Sequence, residues 1–225
     1  MLASPRIALI HALRDSMVPI WDAFETGWPE ARTFNLLDDS LSADLAEEGV
    51  LTQSIIDRFV TLGRYAKETR AGEDATKAIL FTCSAFGPAI DAVKRDLDIP
   101  VFTPNEAAFD DALATGNRVG LVVTFPPSEA ALVAELKAMA SAKGMDLKLT
   151  SAVADGALLA LQARDGEAHD TLIADAALQL GDVDCVLLGQ FSMARAASQL
   201  SKRIAVPVIT TPASAVARLR ALLKV

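Results

Sequence analysis

Short apolar runs alternate with longer stretches of helical periodicity along the whole 225-residue chain. That alternation predicts βα units laid over parallel sheets, an α/β fold. Strands are expected near 6–12 (RIALIHA), 31–37, 77–82 (KAILFT), 99–103, 117–124 (NRVGLVVT), 146–152, 183–189 (VDCVLLG) and 206–210. Helical periodicity runs through 41–70, 84–96, 105–115, 127–143, 165–180, 191–204 and 213–223. Pro100, Pro126, Pro127 and Pro207 fall at strand and helix starts, where a missing N–H costs little.

The pattern also repeats. KAILFTCSAFGPAI followed by DIPVFTP is answered by DCVLLGQFSMARAA followed by AVPVITT, and Cys83 to Pro100 and Gln190 to Pro207 are both seventeen residues apart. Arg6-Ile7-Ala8-Leu9 and Arg118-Val119-Gly120-Leu121 open the two halves alike. Two similar β-α-β-α-β-α-β lobes follow, 1–104 and 105–211, related by duplication about a pseudo-two-fold. The final helical segment has no strand left to follow, so 212–225 is expected to return to the N-terminal lobe. No low-complexity linker separates the halves, and a tight cleft between the lobes is the expected place for a site.

Charge and composition narrow the partners. The formal net charge is −8, with 52% hydrophobic and 22% charged residues, which describes a folded acidic chain. No Lys/Arg cluster exceeds the pair Lys202-Arg203, so no basic face is available for nucleic acid. The low aromatic share, 5%, suits helices packed closely on parallel sheets. No apolar run approaches the ~20 residues of a membrane span, and Arg14-Asp15 interrupts any signal-like start. A cytoplasmic protein without membrane contact is expected, with a homodimer as the default assembly. Two cysteines and two histidines make neither a disulfide framework nor a spaced zinc site.

In open parallel sheets ligands bind at the carboxyl ends of strands, where loops lead into helix N-termini. Cys83 stands there, after Ile79-Leu80-Phe81-Thr82. Backbone N–H groups and the following helix are expected to lower its thiol pKa and fit it as base or nucleophile; the alternative is a small buried hydrophobe. Cys185 lies early in its strand and reads as structural. Gln190 takes the repeat position of Cys83, and Gln190 and Ser192 offer hydrogen bonds across the cleft. Hydroxyls at Thr82, Ser84, Thr103, Thr124, Thr210 and Thr211 could cradle a small carboxylate or simply cap turns. His11 closes the first strand and is a candidate substrate contact, whereas His169 is expected to be solvated. Asn105 is expected to cap the helix that follows it. The chain carries no G-x-G-x-x-G after a strand, no P-loop and no G-x-S-x-G elbow, so an enzyme working without cofactor or metal on a small acid fits best.

FTCSA in the first lobe and L-L-G-Q-F-S at the matching place in the second resemble the aspartate/glutamate/hydantoin racemase superfamily. The resemblance implies two Rossmann-like lobes with a site between them. It also implies cofactor-independent chemistry in which one cysteine removes an α-proton and a cysteine from the other lobe returns one. Cys83 matches the first of these, with Ser84 where racemases commonly have Asn. Gln190 stands where the Leu-Gly-Cys-Thr pattern places the second, with Phe191 for the Thr. Glutamine can orient a substrate but cannot exchange a proton. Cys185 is five residues too early to replace it, and an odd shift turns it to the other face of the strand. Arylmalonate decarboxylases, which keep one of the two cysteines, and maleate isomerases belong to the same resemblance. The expectation is a one-cysteine isomerase or decarboxylase acting on a small carboxylic or amino acid, with His11, Ser84, Thr124, Gln190, Ser192 and Thr210 holding the substrate. The competing expectation is a non-catalytic binder of small anions.

Overall fold

The structure, a computed structural model, describes residues 4–223. It divides into two compact units, one reaching Pro104 and resuming at Ala215, the other Asn105–Ser214.

The first unit begins with β1 (Arg6–His11), a short 3₁₀ turn (Arg14–Ser16), α1 (Met17–Gly27) and β2 (Arg32–Leu37). It continues through α2 (Ser40–Glu48), α3 (Gln53–Glu68), β3 (Arg70–Ala71), β4 (Asp74–Phe81), a 3₁₀ turn (Ser84–Phe86), α4 (Gly87–Asp96) and β5 (Val101–Phe102). The strands pair in the order β2-β1-β4-β5, all parallel, with β3 folded back antiparallel on β4. β1 is buried on both faces, since Ile7, Ala8, Leu9 and Ile10 are all inaccessible. This is why the run carries no polar alternation.

The second unit repeats the plan with α5 (Glu106–Thr115), β6 (Arg118–Val123), α6 (Pro126–Ala142), β7 (Lys148–Val153), α7 (Ala157–Gln162) and α8 (Gly166–Leu178). β8 (Cys185–Leu188), a 3₁₀ stretch (Phe191–Ala196), α9 (Ala197–Leu200) and β9 (Val208–Thr210) follow, and α10 (Thr211–Leu222) closes the chain. Its sheet runs β7-β6-β8-β9, again parallel. The equivalence extends to single bonds. Ile79 N–H donates to the Pro100 carbonyl and Val186 N–H to the Pro207 carbonyl, each at 2.9 Å. At the sheet tops, Thr82 N–H meets the Ile10 carbonyl at 3.0 Å and Gly189 N–H meets that of Val122 at 2.9 Å. The sheets are held at their other ends by charge as well: Asp184 accepts from Arg118 N–H at 2.9 Å and from its guanidinium at 2.6 Å.

Several elements differ from the sequence expectation. The helical stretch 41–70 is two helices, broken at Gly49 (φ 69°), whose left-handed backbone ends α2 before Thr52 starts α3 by accepting from Ile55 N–H at 3.4 Å. α1 occupies a region for which no helix is expected. Pro19 lies in its first turn, where a proline is tolerated. α7 is likewise additional, and the β3–β4 hairpin turns on Gly72 (φ 66°). The closing helix docks on the first unit: Val216 packs against Gly27, and Arg220 Nη1 donates to the Gly27 carbonyl at 2.8 Å.

Candidate functional site

Cys83 leaves β4 in an extended conformation (φ −122°, ψ 123°) and starts the 3₁₀ turn 84–86. It is half-buried on an aromatic floor. Phe59 of α3 stacks on Phe81 of β4 at 5.2 Å and meets Phe86 of the turn at 4.8 Å. Cys83 lines a narrow, mostly apolar recess together with Ile10, Leu41, Phe59 and Phe81. Burial there pushes the thiol pKa up, against the Ala85 backbone N–H, which favours the thiolate. The expected lowering is thus reversed. The turn 84–86 sets the start of α4 at Gly87, beyond the one-turn reach of a helix dipole. A free thiol near ~8.5 is only a few per cent ionised at pH 7, and Cys83 is less so. Iodoacetamide should therefore label Cys83 of the ligand-free protein slowly at pH 7, with a rate that climbs only above that midpoint; a midpoint at or below it contradicts the burial argument.

His11 is brought to the same strand ends, but as a structural tie and not as an open contact. It is fully buried, with Nδ1 2.8 Å from Thr82 Oγ1 and 3.2 Å from Ser16 Oγ, and Nε2 3.0 Å from Asn35 Oδ1. Both ring nitrogens are engaged by side chains of the same unit. Desolvation lowers its pKa, partly offset by the bond to Asn35. Ser84 is half-buried beside Cys83.

In the second unit the structure gathers Thr124, Gln190, Ser192 and Thr210 at the carboxyl ends of β6, β8 and β9. Gln190 repeats the backbone of Cys83 (φ −135°, ψ 148°), also at the start of a 3₁₀ stretch. Its carboxamide turns into its own unit. Oε1 accepts from Thr124 N–H at 2.7 Å and from Thr124 Oγ1 at 3.0 Å, and Nε2 donates to Ser128 Oγ at 3.5 Å. Its oxygen thus satisfies the backbone just before α6 begins. Ser192 and Thr210 are half-buried.

Other expectations sort clearly. Cys185 is fully buried against the α5–α6 side, its thiol pushed up to about 11 by burial and then by the Asp184 charge. His169, expected in solvent, is fully buried on α8 with Nδ1 2.9 Å from the Ala157 carbonyl, because α7 covers it. Asn105 makes no side-chain cap on α5; it is buried with Oδ1 unpartnered. Thr103 is buried, as is Thr211, whose hydroxyl has no partner. Among the described residues no group of His, Cys, Asp and Glu could hold a metal ion, and no helix is long and apolar enough to cross a membrane. Trp21, Asn35, Ser16 and Ser128 complete the strand-end networks and are missed by the sequence reading. Only the apolar spacing of α1 could have pointed to Trp21.

The sequence profile of the Asp/Glu/hydantoin racemase family matches residues 43–219. The chain belongs to this family. No curated protein matches it by sequence. Among solved structures it is similar to a glutamate racemase from Bacillus anthracis (TM-score 0.72, 16% identity, 99% of this chain and 82% of that one). An allantoin racemase from Klebsiella pneumoniae follows at TM-score 0.67 and 19% identity, with 98% and 88% covered. A variant of arylmalonate decarboxylase in its sulfate-associated form gives 0.64 and 19%, with 96% and 94% covered. At these identities the structural likeness establishes the racemase-family fold, two parallel sheets with helices.

Proposed function

We propose that this racemase-family chain is a cofactor-independent isomerase or decarboxylase acting at the carbon beside the carboxylate of a small acid, with Cys83 as its reacting group. The observation that carries this reading is the placement of Cys83. Its sulfur ends β4 above an aromatic floor, with the Ala85 N–H beside it. A thiol kept neutral there is suited to give a proton to a carbanion, or to be ionised when a bound substrate changes its surroundings. Ser84, next to Cys83, is the polar group we assign to the carboxylate and to the enediolate-like charge that forms beside it. Gln190 supports Thr124 from behind. With one reacting cysteine, proton return on one face or carbon dioxide loss followed by protonation is favoured over two-base racemisation.

The test is a panel of small mono- and dicarboxylic acids, including amino acids and malonates, incubated with the protein in deuterium oxide and followed by proton NMR and chiral analysis. At least one acid should exchange its α-proton, isomerise or lose carbon dioxide. Acids that raise the melting temperature yet stay unchanged would instead support an anion-binding protein; a ligand at one hundred times its Kd adds about 2.7 kcal/mol. Rapid racemisation of free aspartate or glutamate would overturn the one-cysteine reading.

A further inference from the structure

α2 is joined to the rest of the first unit by few groups. Leu41 is its one fully buried side chain, and Leu45, a turn further along the same face, is partly buried against the same core. Leu41 enters the recess that Cys83 lines with Ile10, Phe59 and Phe81. With Leu41 in place that recess has no room for a water molecule. At its other end α2 stops on Gly49, whose left-handed backbone (φ 69°) has nothing packed where a side chain would stand. Such a turn can absorb a change of direction and serve as a hinge.

The polar attachments of α2 converge on one residue of α3. Arg58 Nη2 donates to Asp38 Oδ2 and to Ser40 Oγ, each at 2.6 Å, and Nη1 donates to Asp44. Ser40 Oγ in turn donates to Asp38 Oδ1 at 2.6 Å. The guanidinium therefore grips α2 on both sides of Leu41 in the chain, at Ser40 and at Asp44. Burial works against the charge of Asp38, but the bonds from Ser40 and Arg58 prevail and hold its carboxyl below the ordinary carboxylate range, so the grip is fully charged at neutral pH. The remaining polar ties are slighter: Ser42 Oγ donates to the Ala12 carbonyl at 2.9 Å, and Asp39 pairs with Arg14 at 2.8 Å in solvent, where an ion pair contributes little.

We propose that Arg58 is the positioning residue of the Cys83 site: its grip on Asp38, Ser40 and Asp44 holds Leu41 in the recess as a plug, and release of that grip lets α2 swing on Gly49 and open Cys83 to water, reagents and substrate. This rests on the reading of Cys83 as the reacting group. With the plug seated, water is kept from the thiol, the condition under which burial holds it neutral. An element anchored by one buried side chain and a set of surface bonds belongs to the least stable part of a fold, from which lids are drawn. Leu41 supplies the apolar contact, and Arg58 decides how long it lasts.

The experiment follows iodoacetamide alkylation of Cys83, read on its own peptide at one fixed pH, in the ligand-free protein. Wild type is compared with Arg58→Gln, Leu41→Ala, the double variant, and the control Arg64→Gln, which removes a different α3 ion pair, that with Asp96. Arg58→Gln should alkylate at least about fivefold faster than wild type, while Arg64→Gln matches it. Loss of a cation disfavours a thiolate, so the faster rate reports access and not ionisation. Leu41→Ala should also accelerate the reaction. Adding Arg58→Gln to it should change the rate by less than about twofold, because the grip acts through the plug and the two effects do not add. If Leu41→Ala fails to fold, hydrogen exchange of Arg58→Gln decides: the amides of α2 should exchange faster while those of β4 and α4 stay protected. Unchanged alkylation or unchanged α2 exchange in Arg58→Gln overturns the proposal, as do fully additive effects in the double variant. Acceleration shared by Cys185, fully buried in the second unit, would report unfolding of the chain and overturn it too. These readouts need no substrate, so their failure is separable from the failure of Cys83 as reacting group, which is read from turnover.

Discussion

Cys83→Ser is expected to lower turnover of the acid found in the NMR panel by about 10²–10⁴-fold, the range lost when a positioned acid or base is removed. Serine keeps nearly the same shape, but its hydroxyl does not ionise usefully and gives up its proton far less readily than a thiol. The substitution keeps the side chain's volume against Phe81 and its neighbours. Cys83→Ala supplies the second half of the argument. It should retain thermal stabilisation by the same acid, since the group assigned to the carboxylate is Ser84. Loss of turnover with retained binding identifies a reacting group. Unchanged turnover in both variants would overturn the mechanism.

Much of the framework behind this expectation is legible in the chain. The seventeen-residue spacing of Cys83 to Pro100 and Gln190 to Pro207 becomes a matched pair of strand bonds, Ile79 to Pro100 and Val186 to Pro207. A repeat is readable because each copy must bury the same faces against the same kind of helix. The strand-end position of Cys83 follows from the same reasoning. What escaped is of a different physical kind. α1 begins with a proline in its first turn, and its outer face keeps Val18 and Trp21 in solvent, so its periodicity is blurred. His169 lies in a polar stretch of sequence, yet it is covered by α7, an element not expected. The direction of the Cys83 pKa depended on three residues of 3₁₀ turn and on Phe59, 24 positions earlier in the chain. The partners of His11 come from β2, from Thr82 just after β4 and from the first turn, and such convergence depends on side-chain directions that periodicity does not encode.

The same distinction governs Gln190, where family resemblance expects a second cysteine and the structure has a carboxamide doing local work. Its Oε1 accepts both the N–H and the hydroxyl of Thr124, at 2.7 Å and 3.0 Å, just before α6 begins. Thr124 is buried, so deleting that acceptor leaves its N–H without a partner, at a cost of about 1–3 kcal/mol. With roughly 2–4 °C per kcal/mol for a chain of this length, Gln190→Cys and Gln190→Leu should each lower the melting temperature by several degrees. Gln190→Glu separates the bond from the volume. A carboxylate keeps the acceptor, and its negative charge beside the first turn of the 17-residue helix α6 is favourable. It should melt within about 2 °C of wild type, an offset equal to roughly 0.5–1 kcal/mol at that slope. Gln190→Cys should also gain at most slow α-deuterium exchange, because proton transfer demands a sulfur placed within reach of the reacting carbon. A Cys variant as stable as wild type would show that the Thr124 N–H finds another acceptor. Rapid racemisation by that variant would show that this position needs only a thiol to become the second base.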